Sequence, residues 1–272
     1  AGYEINRAIN FESNILGDTN ERLGKLHELL RLFQKLTLTD DAGKLMDIGA
    51  LYNQLLYIFA EEAGKKISNV LTPKEVIGLV AELIGNNKDN NSLCDPVSGS
   101  GTLLVEVGKR VGIRGVGIFG QEANWNQYAL TKMNLMLNGF KDSTFFWGDS
   151  LSNPKLTDGD RLKQFDIVVS IPPFADKWAI EEAEFDRYER FQYGIPPRSQ
   201  ATWAYISHIL ASLKPNGRAV VVVPAGVLFR TSESKIRHQI IEHNLLETVI
   251  ELPQNLFYGT AISTAKFFFL KK

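Results

Sequence analysis

The sequence predicts an α/β fold: a doubly wound, seven-stranded, mostly parallel sheet with a helical region in front of it. Three observations carry this. From residue 92 onward, short apolar runs alternate with longer segments of helical periodicity. Several of the runs are almost purely apolar, as strands buried on both faces must be. The first run, Leu93-Cys94-Asp95, passes through Pro96-Val97-Ser98-Gly99-Ser100-Gly101 into an apolar segment, Thr102-Leu103-Leu104. That is a strand, a tight turn and a helix start, the junction at which such sheets bind ligands.

Taken in order, Leu16 to about Gly64 reads as two or three helices. Leu23, Leu26, Leu30 and Phe33 recur at three- and four-residue spacing, and Leu51, Leu55, Tyr57 and Phe59 form a second set. Residues 1–68 are expected to form a helical region, the remnant of a larger helical domain, and residues 69–272 the sheet domain. Thr72 as N-cap, Pro73 at the first helical position and Glu75 in the first turn predict a helix to about Ile84. After the polar linker Gly85–Asn91, the expected strands are Ser92–Cys94, Gly115–Gln121, Thr144–Trp147, Phe165–Ser170, Arg218–Val223, Thr248–Glu251 and Lys266–Leu270. The expected helices are Thr102–Arg110, Trp125–Leu137, Ala201–Leu213 and Ser234–His243. The longest irregular stretch, Ala175 to Ser199, is charged and aromatic, and loops of that length inside a compact domain are usually functional.

Composition narrows the function classes. Net charge is −1 over 272 residues with acids and bases interspersed, which disfavours a self-sufficient nucleic-acid binder. No segment is apolar enough to span a membrane, and Ala1 to Asn10 lacks a signal-peptide pattern. A single cysteine, Cys94, excludes an internal disulfide and suits a reducing cytoplasm. The four histidines are scattered without metal-ligand spacing, so no metal is expected. His208, within an apolar helix, reads as a packed core residue.

The glycine turn alone is weak evidence, since such turns bind dinucleotides, phosphates and adenosine-type cofactors alike. It is not a Walker loop, because no Gly-Lys-Ser/Thr follows Gly101, and it lacks the third glycine of Gly-x-Gly-x-x-Gly. Acids at the next strand ends add to it. Glu122 closes the second strand, where a carboxylate can hold two vicinal ribose hydroxyls, and Asp149 closes the third, where it can accept from an adenine amino group. The fourth strand runs into Ile171-Pro172-Pro173-Phe174. Paired prolines leave carbonyls without competing N–H groups there, and the aromatic ring can stack on a flat base. Lys177, Arg187, Arg190 and Arg198 in the long loop can contact phosphate or simply be solvated.

The series Thr72-Pro73, Asp95-Pro96-x-x-Gly99-Ser100-Gly101, Glu122, Asp149 and Pro172-Pro173-Phe174 resembles that of adenine-specific DNA methyltransferases. It resembles more narrowly the modification subunit of type I restriction-modification systems. The blocks Gly49-x-x-Tyr52, Lys132-Met133-Asn134, Leu213–Ala219, Pro224–Arg230 and Leu252-Pro253-x-Asn255-Leu256-Phe257-Tyr258-Gly259-Thr260 agree with that family. The resemblance implies a class I, Rossmann-like methyltransferase fold and S-adenosyl-L-methionine as cofactor. Val70, Leu71, Thr72 and Pro73 would close over it, and Asp95, Pro96, Val97, Ser98, Gly99 and Gly101 would line its methionine and ribose. Glu122 would hold the ribose and Asp149 would face the adenine. A target adenine, flipped out of DNA, would meet Ile171, Pro172, Pro173 and Phe174. The implied partners are DNA, a separate specificity subunit, a second modification subunit and a restriction subunit, in a prokaryotic cytoplasm.

Three positions depart from the family. Ile171 replaces an asparagine whose oxygen accepts from the target amine, Val70-Leu71 replaces an aromatic pair, and Val97 stands where alanine or threonine is usual. Two alternatives follow. One is a catalytically silent cofactor-binding or scaffolding subunit, and the other is a methyltransferase acting on another planar amine or amide. A nicotinamide oxidoreductase is disfavoured by the missing glycine and the Pro-Pro-Phe corner.

Overall fold

A computed structural model describes residues 18–35, 47–63, 72–85, 92–113, 115–174, 176–179, 181–257 and 263–270. Helices α1 (Thr19–Lys35), α2 (Ile48–Ala63) and α3 (Lys74–Ile84) precede β1 (Leu93–Asp95) and α4 (Thr102–Val111). Then come β2 (Ile118–Glu122), α5 (Trp125–Leu137), β3 (Thr144–Trp147), the short pair β4 (Thr157–Asp158) and β5 (Arg161–Leu162), and β6 (Phe165–Ser170). A single helical turn, α6 (Glu181–Glu184), interrupts the long loop before α7 (Thr202–Ala211). β7 (Leu213–Pro224), α8 (Ser234–Glu242), β8 (Leu246–Glu251) and β9 (Thr264–Leu270) complete the order.

The sheet runs β3-β2-β1-β6-β7-β9-β8, with only β9 antiparallel to its neighbours. Its winding reverses between β1 and β6, so the turns that leave those two strands diverge and open a crevice there. Side-chain alternation along the central strands separates two cores. Ile167, Val169, Val220 and Val222 face α3 and α4, whereas Val168, Ala219, Val221 and Val223 face α7 and α8. On α3, Val76, Ile77, Val80, Ala81 and Ile84 form the buried stripe that helical periodicity demands. Trp203 on α7 is the largest fully buried side chain.

Several expected boundaries shift, each for a physical reason. Pro73 rather than Thr72 caps α3, because its ψ of 142° is extended, and the helix begins at Lys74 without a side-chain cap. Residues Gly115–Gly117 form a 3-10 turn ahead of β2. β7 begins five residues early, since Leu213 pairs with Phe165 and a bulge follows. There Asn216 adopts φ 62°, and a side chain on Gly217 would strike the carbonyl oxygens of Lys214 and Phe165. The β4–β5 hairpin was not expected, although its two-residue loop, Gly159-Asp160, with Gly159 at φ 62°, has the glycine-first pattern of a favoured hairpin turn.

Helix α2 docks on the sheet domain through α5. Tyr52 Oη donates to the Leu130 carbonyl at 3.2 Å, Asn53 Nδ2 to Glu106 at 3.1 Å, and Tyr57 Oη to the Thr72 carbonyl at 3.3 Å. Burial pushes the Tyr52 phenol up to about 12. Helix α1 leaves Leu23, Leu29, Leu30 and Leu32 exposed. No helix among the described residues is long and apolar enough to cross a membrane.

Gly49 permits the close approach of α2 to α5: a Cβ there would lie 2.4 Å from Asn138 Oδ1 and 2.9 Å from the Leu137 carbonyl. Gly49→Ala is therefore expected to destabilise by about 1–3 kcal/mol, the usual cost of overpacking, despite alanine's higher helix propensity. Urea denaturation measures this, and an unchanged or raised midpoint would show that α2 does not dock this way.

Candidate active site

β1 is three residues long, fully buried and flanked by β2 and β6. At its end Asp95 Oδ1 accepts the Val97 N–H at 3.0 Å and the Ser170 hydroxyl at 2.9 Å. One carboxylate oxygen thus shapes the turn leaving β1 and ties it to the end of β6, across the point where the winding reverses. Burial pushes the Asp95 carboxyl up to about 7, against the two hydrogen bonds and with help from the charge of Glu122.

The turn itself is held from behind. Thr131 Oγ1 donates to the Gly99 carbonyl at 2.6 Å and Asn134 Nδ2 to the Ser100 carbonyl at 3.2 Å, both from α5. Gly101 has φ 75°, and a Cβ on it would come within 2.5 Å of the Thr131 side chain. The N–H groups of Ser98, Gly99 and Gly101 donate to Gln121 O, Glu122 Oε2 and Ser98 O respectively. These three N–H groups are satisfied within the protein and are not free donors for a phosphate.

The neighbouring strand ends are laced to this turn. Glu122 accepts the Gly99 N–H at 2.8 Å on one oxygen and the Asn124 N–H at 2.8 Å on the other. The carboxylate keeps acceptor capacity for a ligand hydroxyl. Burial raises the Glu122 pKa, the N–H groups of Asn124, Gly99 and Ala123 oppose the rise, and the charge of Asp149 adds to it. Asp149 accepts the Leu151 N–H at 2.7 Å, and Ser150 Oγ donates to the Pro96 carbonyl. On the other side, Ile171 and Phe174 pack against the apolar core, and the Phe174 ring meets Phe257 edge-on at 5.3 Å.

A cleft of about 340 Å³ gathers these residues: Thr72, Asp95, Val97, Ser98, Gly99, Glu122 and Asp149 together with Ile171, Pro172, Pro173 and Phe174. Three expected site residues stand behind its lining. Pro73 and Pro96 are buried, and Gly101 is used for packing against α5. Val70 and Leu71 lie outside the described residues. The cleft also includes Asn124, Gln127, Asp176, Lys177, Tyr205 and Phe257, which sequence reasoning did not place there. For Phe257 the signal was its family-specific block, and for Asp176 and Lys177 the charged loop just after Phe174.

That loop is not loose at its ends. Ala201 N–H donates to the Asp176 carbonyl at 2.9 Å, Trp178 N–H to Arg198 at 3.2 Å, and the Trp178 indole to Pro197 at 3.1 Å. Its interior hangs on Arg190. This buried guanidinium meets Asp186 at 2.8 Å, Leu151 O at 2.8 Å, Ser150 O at 3.3 Å and His208 Nδ1 at 3.5 Å. Burial, with the charge of Arg190, lowers the His208 pKa to about 3, so the imidazole is neutral and can accept from the guanidinium. Of the four loop cations that the sequence offered for phosphate, Arg190 is thereby withdrawn from solvent, and Arg198 sits 3.4 Å from Glu181 at the exposed surface.

The family model of N-6 DNA methylases matches residues 44–272. The methylase subunit of the type I restriction enzyme MjaVII from Methanocaldococcus jannaschii is 33% identical, with 90% of this chain and 43% of that protein covered. The MpnII methylase subunit from Mycoplasma pneumoniae is 31% identical over 90% of this chain and 48% of its own length. The chain thus spans less than half the length of these relatives. A methyltransferase subunit of a type I restriction-modification system from Streptococcus thermophilus superposes with a TM-score of 0.83 at 30% identity, over 98% of this chain and 58% of that one. A structure from Listeria monocytogenes titled as a class I S-adenosylmethionine-dependent methyltransferase shares the fold, with a TM-score of 0.71 at 19% identity over 98% of this chain and 78% of that one.

Two outcomes are expected. Arg190→Ala leaves Asp186 buried without its partner and is expected to cost about 3–5 kcal/mol in urea denaturation, whereas Arg190→Met with Asp186→Leu recovers most of it. An Arg190→Ala loss no larger than that of a surface pair would contradict the clamp. For Asp95, the raised pKa means that its stabilising contribution is complete below the unfolded value of 3.8 and lost as pH rises through about 7. In ligand-free protein, Asp95→Asn should therefore remove part of the stability decline between those pH values. Parallel native and variant stability–pH curves would refute that assignment.

Proposed function

The chain belongs to the N-6 DNA methylase family, and from that premise we propose that it binds S-adenosyl-L-methionine and methylates the exocyclic amino group of adenine in DNA. One observation carries the reading: acids at three consecutive strand ends and a Pro-Pro-Phe corner line a single cleft. Carboxyls gathered there repel a phosphate and suit a cofactor without one, and Glu122 can still accept from a ribose hydroxyl. When bound, the cofactor supplies a methyl group activated on a sulfonium.

The residues of the chain account for the rest. Asp95 and the Val97-Ser98-Gly99 turn hold the methionine and ribose side, Thr72 closes over it, and Asp149 faces the adenine ring of the cofactor. The target base enters between Phe174 and the Pro172-Pro173 corner after flipping from the duplex. A carbonyl of that corner accepts one amine hydrogen, which directs the nitrogen lone pair toward the methyl donor. Lys177, exposed at the cleft, would contact a DNA phosphate.

The assembly we propose has a separate specificity subunit, a second modification subunit and a restriction subunit, in a prokaryotic cytoplasm. A net charge of −1 suits a subunit that relies on a partner for most of its DNA contact. Ile171 favours a second reading, a subunit that binds cofactor and scaffolds the complex without turnover. Losing one positioned polar contact typically costs about 3 kcal/mol, roughly a hundredfold in rate.

Calorimetric titration with S-adenosyl-L-methionine tests the premise. A positively charged ligand group beside Asp95 favours the ionised carboxyl, so binding near pH 7 should release a proton and give enthalpies that vary with the buffer. Asp95→Asn should abolish that dependence. No binding would eliminate both readings. Ile171→Asn, assayed in the full assembly, is expected to raise methyl transfer by about tenfold or more. Equal, robust rates would mean that Ile171 does not limit the reaction.

A further inference from the structure

Four carboxyl groups open on the cleft, and three already accept hydrogen bonds from the protein. Asp95 takes the Val97 N–H and the Ser170 hydroxyl, Glu122 the Gly99 and Asn124 N–H groups, and Asp149 the Leu151 N–H. Asp176 differs. Its carboxylate accepts no hydrogen bond from any described residue, yet its main chain is fixed. Ala201 N–H binds its carbonyl at 2.9 Å, and Trp178, two residues on, is held by both its N–H and its indole to the opposite limb of the loop. The chain therefore positions an acceptor without using it, two residues past Phe174 and in the same cleft as Ile171.

We propose that Asp176 supplies the acceptor that Ile171 lacks, binding the amino group of the target base and taking up the proton it loses. This rests on the methyltransferase reading above. As the amine nitrogen bonds to the methyl carbon, the carbon–sulfur bond of the sulfonium donor breaks and its electron pair stays on sulfur. The nitrogen becomes cationic, and one of its protons passes to the Asp176 carboxylate and then to water. Asp176 is exposed at the cleft, yet partial desolvation of its carboxyl, reinforced by the charge of Asp149, raises its pKa, the direction that suits a proton acceptor.

The test has a binding arm and a transfer arm. Without any methyl donor, the native chain should bind 9-methyladenine more tightly than 9-methylpurine, which lacks the amine, by about fivefold, the order of one hydrogen bond. Asp176→Ala should erase that preference and Asp176→Asn, which keeps an acceptor oxygen, should retain it. No preference in the native chain overturns the proposal. In the complete assembly, N6-methyladenine formed in unmethylated genomic DNA is measured by mass spectrometry. Asp176→Ala should cost about tenfold or more in the native background but only about threefold or less in Ile171→Asn, where a second acceptor is present. Equal costs in both backgrounds overturn it. Cofactor binding with no methyl transfer by the native chain also overturns it while leaving the cofactor site standing. Absence of cofactor binding would instead bring down the methyltransferase reading itself.

Discussion

A single buried carboxyl holds the site together. The Asp95 side chain bridges the turn that leaves β1 and the end of β6, at the one place where the sheet's winding reverses. The two strands are paired as far as Cys94 and Val168, and beyond that pair the turns diverge, so the Asp95 carboxyl spans the gap between them. The bridge fixes the spacing between the glycine turn on one side and the Ile171–Phe174 corner on the other. Its protonation is part of the same constraint, since burial pushes the carboxyl up to about 7 and a nearby cation favours its ionised form.

The two halves of the cleft are built differently. On the β1–β3 side, backbone and side-chain hydrogen bonds run between successive strand ends: Gly99 to Glu122, Gly148 to the Glu122 carbonyl, and Ser150 to Pro96. Helix α5 fastens the same turn from behind through Thr131 and Asn134. This half is preorganised, so a ligand there meets groups already in place. On the β6 side the walls are apolar, with Ile171, Phe174 and Phe257 sharing the core that packs under α3 and α4. Such a wall receives a flat ring well and an amine poorly, which is why the free carboxylate of Asp176 matters.

Arg190 joins the halves. Its guanidinium sits within the long loop yet donates to the carbonyls of Ser150 and Leu151, the turn that carries Asp149. The loop that brings Asp176 and Lys177 to the cleft is thus anchored to the β1–β3 side. A buried ion pair of this kind is a weak source of stability in itself, but breaking it leaves an unpaired charge, so it specifies one arrangement of the loop strongly.

The sequence by itself determined the seven strands of the sheet, the main helices and their order. β3, β6 and α5 fall on their expected residues because apolar periodicity and turn chemistry are local properties. The strand-end residues Asp95, Glu122, Asp149 and Ile171–Phe174 were legible for the same reason: a doubly wound sheet brings strand ends to one edge. Tertiary structure alone decided what depends on distant partners. Pro73 took the cap from Thr72, Gly101 proved to make room for Thr131, and β7 started early because Leu213 found Phe165 across the sheet. Arg190 reads in the sequence as one loop cation among four, and Asp176 as one loop acid. Their opposite fates, one buried and fully paired, the other left free in the cleft, follow from packing between segments far apart in the chain, which no local pattern of residues encodes.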